Sequence, residues 1–174
     1  MKLKVILFSF FVFFNISSNS NEIAVSLIKN IEKCKTSSYI DGAGHKTIGY
    51  GFKNHSTSSM SCKTAENILN KKIEEIKIFL SKEIKYSLTK SQSAAVISLV
   101  YNIGIPSFKN SALLKKINQG KLSAASRDFM MWTYIKKKQS RGLLIRRKKE
   151  QQLLIVLVKW KKKVILSVEE TAYK

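Results

Sequence analysis

Between Asn21 and Gly51 the hydrophobic period changes abruptly, and this change constrains the fold more than any other feature of the chain. Ile23, Leu27, Ile31 and Cys34 recur at intervals of three or four residues, which is one stripe of an amphipathic helix with Glu32 near its end. After the polar run Lys35-Thr36-Ser37-Ser38, the residues Tyr39, Ile40, Asp41, Gly42 and Gly44 read as a strand entering a tight turn, where glycine tolerates positive φ. From Lys46 to Phe52, β-branched and aromatic residues spaced by glycines predict a returning strand. A helix end therefore faces a hairpin, and the fold class is α+β.

The remainder reads as helices, so the fold should be mainly helical with a small β-hairpin lobe beside a cleft. Ser61 is placed to cap a helix whose apolar positions Ala65, Ile68, Leu69, Ile73, Ile76 and Leu80 form one stripe. Thr89 with Gln92 forms a capping box, and Leu88 before the cap is placed for a hydrophobic staple. The helix that follows is apolar on nearly every side through Ala94, Ala95, Val96, Ile97, Leu99 and Val100, so it should be central; Gly104 and Pro106 end it. Ser111 and Gly120 bracket a short helix, and Ser123 is expected to cap another running through Phe129, Met130 and Trp132. At 174 residues the chain can hold one good core and no second large domain.

Three oxygen-bearing side chains converge on the helix–hairpin junction. Asp41 follows Glu32 by nine residues, and Thr47 follows by six more inside Thr47-Ile48-Gly49-Tyr50-Gly51. Cleaving a glycosidic bond needs one carboxyl that donates a proton and a second group that delivers the attacking oxygen. Apolar packing around the helix would favour a protonated Glu32, whereas an exposed turn would keep Asp41 ionised. Thr47 could hold a water beside Asp41. The bland alternative is a helix-face Glu, a turn-forming Asp and a strand Thr. Lys33 is expected to point to solvent, and His45 and His55 lack the partners of a metal site, so no metal and no cofactor are expected.

The wider pattern resembles the phage-type lysozymes, the endolysins of glycoside hydrolase family twenty-four, over roughly residues 22 to 155. The resemblance runs through Leu27-Ile28-Lys29, Glu32, Tyr39, Asp41, Gly44 and the Thr47–Gly51 signature. It resumes at Leu88–Gln92, Ala94–Gly104 and Ser111–Gly120, then at Ala124-Ala125, Phe129, Trp132 and the run Gly142–Arg147 with Glu150. It implies a lysozyme-like fold that hydrolyses the bond from N-acetylmuramic acid to N-acetylglucosamine in peptidoglycan. Glu32 would be the acid, Asp41 and Thr47 would position the water, and the product anomer would be inverted. Tyr50, Tyr101, Asn102 and Arg146 would bind substrate, although at least one of Arg146 and Arg147 reads better as pinning the lobe, and Trp132 reads better as core than as a sugar platform. Two departures stand out: Lys33 follows the acid where relatives commonly have Gly, and Phe52 follows the signature where they commonly have His.

The chain ends add a route and a charge. Residues 1–20 combine Lys2 and Lys4, an apolar run from Val5 to Ile16 and Ser17-Ser18-Asn19-Ser20, the layout of a signal peptide or an N-terminal membrane anchor. The catalytic domain would span 21–155, with Asn21 free to cap the first helix, and the enzyme would be exported, extracellular or periplasmic. Export permits a disulfide between Cys34 and Cys62; two buried free thiols are the other reading.

With 32 basic and 11 acidic residues, the formal charge of +21 calls for a polyanionic partner. Only four of the basic residues are Arg and no nucleic-acid-reading motif accompanies them, so peptidoglycan glycan strands, anionic wall polymers or a lipid surface fit better than specific nucleic acid. Residues 156–174 form a basic C-terminal extension that either continues the last helix or meets an anionic membrane through Trp160 and its lysines. A monomer is expected. A cationic wall- or membrane-binding antibacterial protein without catalysis is the competing reading.

Overall fold

The structure, a computed structural model, describes residues 17–53 and 56–155. The N-terminal segment up to residue 16, His55 and the extension at 156–174 lie outside the described residues. Helix α1 spans Ser17–Glu32, β1 Lys35–Ile40, β2 Lys46–Gly49 and β3 Phe52–Lys53. Then come α2 at Cys62–Glu83, α3 at Lys90–Ile103, α4 at Ile105–Lys109, α5 at Ala112–Asn118 and α6 at Leu122–Asp128. A 3-10 turn at Phe129–Trp132 leads to β4 at Tyr134–Ile135, β5 at Lys138–Gln139 and a last helix, α7, over residues 141–155.

Helix α3 is the centre of the molecule. Every residue from Ala94 to Val100 is buried, because neighbouring helices close around it and leave no wet face. Its start carries the reciprocal capping box: Thr89 accepts from the Gln92 amide while the Gln92 side chain accepts from the Thr89 amide. Gly104, at φ 85°, ends it, and Pro106 opens the next short helix. Ser61 and Ser111 cap α2 and α5 through their side chains. For α6 the cap is Lys121, without a side-chain bond, so Ser123 lies inside the helix it was expected to start.

Helix α1 differs from the sequence reading in two ways. Its most buried apolar residues are Ala24 and Ile28, one position round from the stripe through Ile23 and Leu27, because α3 packs against that adjoining face. It also begins at Ser17, before Asn21. Ser20 is buried, and Asn21 does not cap: its Nδ2 donates to Glu74 Oε1 on α2 at 2.5 Å. A domain boundary after residue 20 would fall inside this helix.

The β lobe is a three-stranded antiparallel sheet in the order β1-β2-β3, with Tyr39 opposite Thr47 and Ile48 opposite Phe52. The single returning strand expected from Lys46 to Phe52 is broken at Gly49-Tyr50-Gly51, where Gly49 (φ 65°) and Gly51 (φ 87°) turn the chain back. Cys34 and Cys62 are bonded, with their Cα atoms 5.9 Å apart, and so tie the end of α1 to the start of α2. The closed loop contains the whole β lobe. Trp132 packs against the core, as its apolar neighbours suggest. Among the described residues, no helix is long and apolar enough to cross a membrane.

Candidate active site

Glu32 is the last residue of α1, and the chain must turn sharply there to start β1. Lys33 makes that turn in the left-handed region (φ 51°) and its side chain is exposed. Gly51 is folded tightly over the carboxyl: a Cβ at this position would stand 3.1 Å from Glu32 Oε2. A side chain here would have to displace the carboxyl or the turn.

Below Glu32 lies a buried polar network. Arg146, 2% exposed, donates through Nη1 to Glu32 Oε1. Its Nε donates to Glu150 Oε1 at 3.0 Å and its Nη2 to the Ser98 carbonyl at 3.0 Å. Ser98 Oγ donates to the same Glu150 oxygen at 2.6 Å. Arg147 lies 3.0 Å from the other Glu150 oxygen and donates to Asn102 Oδ1 at 2.9 Å. Burial pulls the Arg147 guanidinium below its ordinary range and the Glu150 charge opposes that pull; it stays charged at neutral pH. Glu150 is thus shared by both guanidinium groups, and Arg146 carries the network up to the Glu32 carboxyl. The expected apolar surround of Glu32 is replaced by this ionic floor.

Asp41 is held by local backbone. Its Oδ1 accepts from the Ala43 amide at 2.9 Å and the His45 amide at 2.8 Å, the turn closing around its own side chain. The His45 amide is the main reason the Asp41 carboxyl sits below its ordinary value; the Ala43 amide and the His45 ring add to this, and partial burial opposes it. Thr47, 2% exposed, donates its hydroxyl to the His45 carbonyl at 3.0 Å, leaving its oxygen free to accept.

Glu32, Asp41 and Thr47 all line one open groove of about 910 Å³ between the β lobe and the helices. Tyr39, Tyr101, Asn102, Ile105 and Tyr134 are among its other walls. Tyr39 is raised above its ordinary value first by burial and then by the charges of Glu32 and Asp41, so it feels both carboxylates. Tyr101 is pushed up further, by burial and then by Glu32 against the opposing Arg146; it stays a neutral donor, bonding the Tyr50 carbonyl at 2.6 Å.

Two expected substrate contacts lie elsewhere. The Tyr50 side chain is in the core, 5% exposed, because the turn at Gly49–Gly51 rotates it inward. Arg146 faces Glu32 from beneath and does not line the groove. Sequence reasoning assigned no roles to Ser98 and Glu150. Both fall within the family resemblance, and Glu150 is also a single acid one helical turn beyond Arg146 and Arg147 in a strongly basic run. Among the described residues no cluster of His, Cys, Asp and Glu could hold a metal ion.

Residues 29–150 match the family model described as phage lysozyme. The chain belongs to the phage lysozyme family. It is a lysozyme-type glycoside hydrolase, which goes against the reading of a cationic protein without catalysis. It is 37% identical over 123 residues to an endolysin of Acyrthosiphon pisum secondary endosymbiont phage 1, covering 70% of this chain and 84% of that one. To the endolysin of Bacillus phage PZA it is 31% identical over 129 residues, covering 71% of this chain and 50% of its relative, so it spans about half of that longer protein. The SAR-endolysin of Enterobacteria phage P21 is 36% identical over 77 residues, 44% of this chain and 47% of that one.

Among solved structures, the endolysin of Escherichia coli O157:H7 phage FAHEc1 superposes with a TM-score of 0.68 at 27% identity, over 82% of this chain and 94% of that one. A P22 lysozyme mutant gives 0.64 at 26% identity, over 82% and 99%. This lysozyme is therefore mostly helical with small antiparallel sheets, like its relatives.

Proposed function

We propose that this lysozyme cuts the β-1,4 bond between N-acetylmuramic acid and N-acetylglucosamine in peptidoglycan, with Glu32 as general acid and Asp41 and Thr47 holding the attacking water. The observation that carries this is the presence of all three groups in one groove. Glu32, fixed by Arg146 below and Gly51 above, protonates the leaving oxygen. Asp41 has one oxygen committed to backbone amides, which leaves the other to accept a proton from water. Thr47 donates to a carbonyl, so it serves that water as an acceptor. Water enters opposite the departing sugar as the bond breaks, and the anomer inverts. Tyr101 and Asn102 bear on the saccharide from the helical wall, while Arg146 acts through Glu32.

The wall lies outside the cytoplasmic membrane, and residues 1–20 supply the export route; likeness to SAR-endolysins supports it. Release of reducing ends from purified peptidoglycan by wild type and by Glu32→Gln tests the chemistry, and NMR of the nascent anomer tests the inversion. Undiminished release by Glu32→Gln would overturn the assignment. If bacterial lysis survives Glu32→Gln with Asp41→Asn, charge alone carries it.

A further inference from the structure

The β4–β5 hairpin is built against the backbone preference of its own residues. Tyr134 pairs with Gln139 and Ile135 with Lys138, so Lys136 and Lys137 are the two central residues of the turn. Their φ angles are 47° and 67°. Positive φ at both central positions is what a type I′ turn requires, and Asn and Gly adopt it at least steric cost. Two lysines stand there, and a third follows. Among the described residues none of the three makes an ion pair.

The position of the hairpin fixes where those charges stand. Tyr134, Ile135 and Lys136 line the catalytic groove. Ile135 Cδ1 lies 3.9 Å from where a Cβ on Gly42 would be, so the hairpin leans on the turn that holds Asp41. The lysine tip is therefore anchored at the groove rim on the side of the attacking water. Glu75 of α2 also lines the groove, with Lys72 one turn before it, so that wall has both signs of charge and the hairpin tip has one.

We infer that Lys136 and Lys137 form a carboxylate-reading rim, which selects glycan strands bearing acidic stem peptides by pairing with the peptide carboxylates that hang from the strand. The inference rests on the peptidoglycan reading above. Strained backbone persists where the surrounding structure enforces it and function uses it. Lysine suits such a rim, because a point charge on a flexible stem can follow carboxylates whose positions vary along a polymer, whereas the planar fork of Arg demands fixed geometry.

The test compares soluble peptidoglycan fragments with the same fragments after their carboxyls are converted to amides. Wild type should show a KM about 3- to 10-fold higher on the amidated material, the scale of one or two exposed ion pairs. Lys136→Asn with Lys137→Gly, which suits the turn better, should bring KM on native fragments to that higher value, abolish the discrimination, leave kcat within about twofold, and hold Tm at or above wild type. Lys136→Arg with Lys137→Arg should restore discrimination in part. Lys115→Gln with Lys121→Gln, which removes the same charge elsewhere, should change nothing. Discrimination that survives in the Asn-Gly variant, or a KM that rises equally on both substrates, overturns the inference. Absence of reducing ends from either substrate with wild type would instead sink the underlying activity.

Discussion

The two carboxylates of the groove are held by opposite means. Asp41 is fixed within four residues of itself, by amides of the turn it initiates. Glu32 is fixed by Arg146, 114 residues away in sequence, whose guanidinium is oriented in turn by Glu150 and Ser98. One site is local; the other is assembled only when the last helix docks. The general acid is thus coupled to complete folding, whereas the group that holds the water is preformed by its hairpin.

The largest effect should come from the assembled side. Glu32→Gln removes the proton donor and keeps an acceptor for Arg146, so kcat should fall about 10²- to 10⁴-fold with little loss of Tm. Comparable losses in kcat and Tm would mean that Glu32 is chiefly structural. Glu150→Ala makes the converse break. It strands two buried guanidinium groups and should cost about 3–5 kcal/mol in urea unfolding, with activity lost through Glu32. If stability is unchanged, the buried ionic floor does not orient the acid.

The contrast also explains which parts of the site were legible in the sequence. Local rules read the capping box at Thr89, the caps at Ser61 and Ser111, the Asp41 turn and the apolar α3, because each depends on residues within a few positions. The ionic floor was not legible, since nothing near Glu32 announces an arginine 114 residues on. The break of the return strand at Gly49–Gly51 was missed for a different reason: its glycines suit a spaced strand and a turn alike, and only packing over Glu32 decides between them. The off-by-one face of α1 follows from the same limit, because Ile23, Leu27, Ala24 and Ile28 are all apolar and periodicity alone cannot say which ones α3 will cover.

The disulfide joins the two regimes, since it anchors the end of α1 and closes the loop containing the β lobe. Replacing Cys34 and Cys62 by Ser should cost about 3 to 4 kcal/mol from loop entropy over a 28-residue separation, read as a lower unfolding midpoint with kcat largely kept. A selective loss of kcat would show that the bond positions Glu32 as well. Gly51→Ala is a gentler probe of the same end. Its Cβ would press on Glu32 Oε2 at a φ of 87°, so about 1–2 kcal/mol of stability should go, together with up to about 10²-fold in rate as the acid shifts.

The local side should give the smallest and most specific signal, in the pH dependence of stability. The turn amides hold Asp41 below its ordinary value of 3.8. The folded protein therefore binds this proton less readily than the unfolded chain. The stabilisation is present in full above the unfolded value and fades as pH falls through the depressed native value. Asp41→Asn keeps an oxygen for the Ala43 and His45 amides and cannot titrate. It should flatten that part of the acid limb when Tm is followed from about pH 5 to about pH 2, with Tm below wild type near neutrality and converging on it at the acid end. Reducing-end release should nevertheless fall sharply, because water activation needs the charge. An acid limb that matches wild type would show that the turn amides do not favour the ionised carboxylate, and the two carboxylates would then differ in where they stand and not in how they are held.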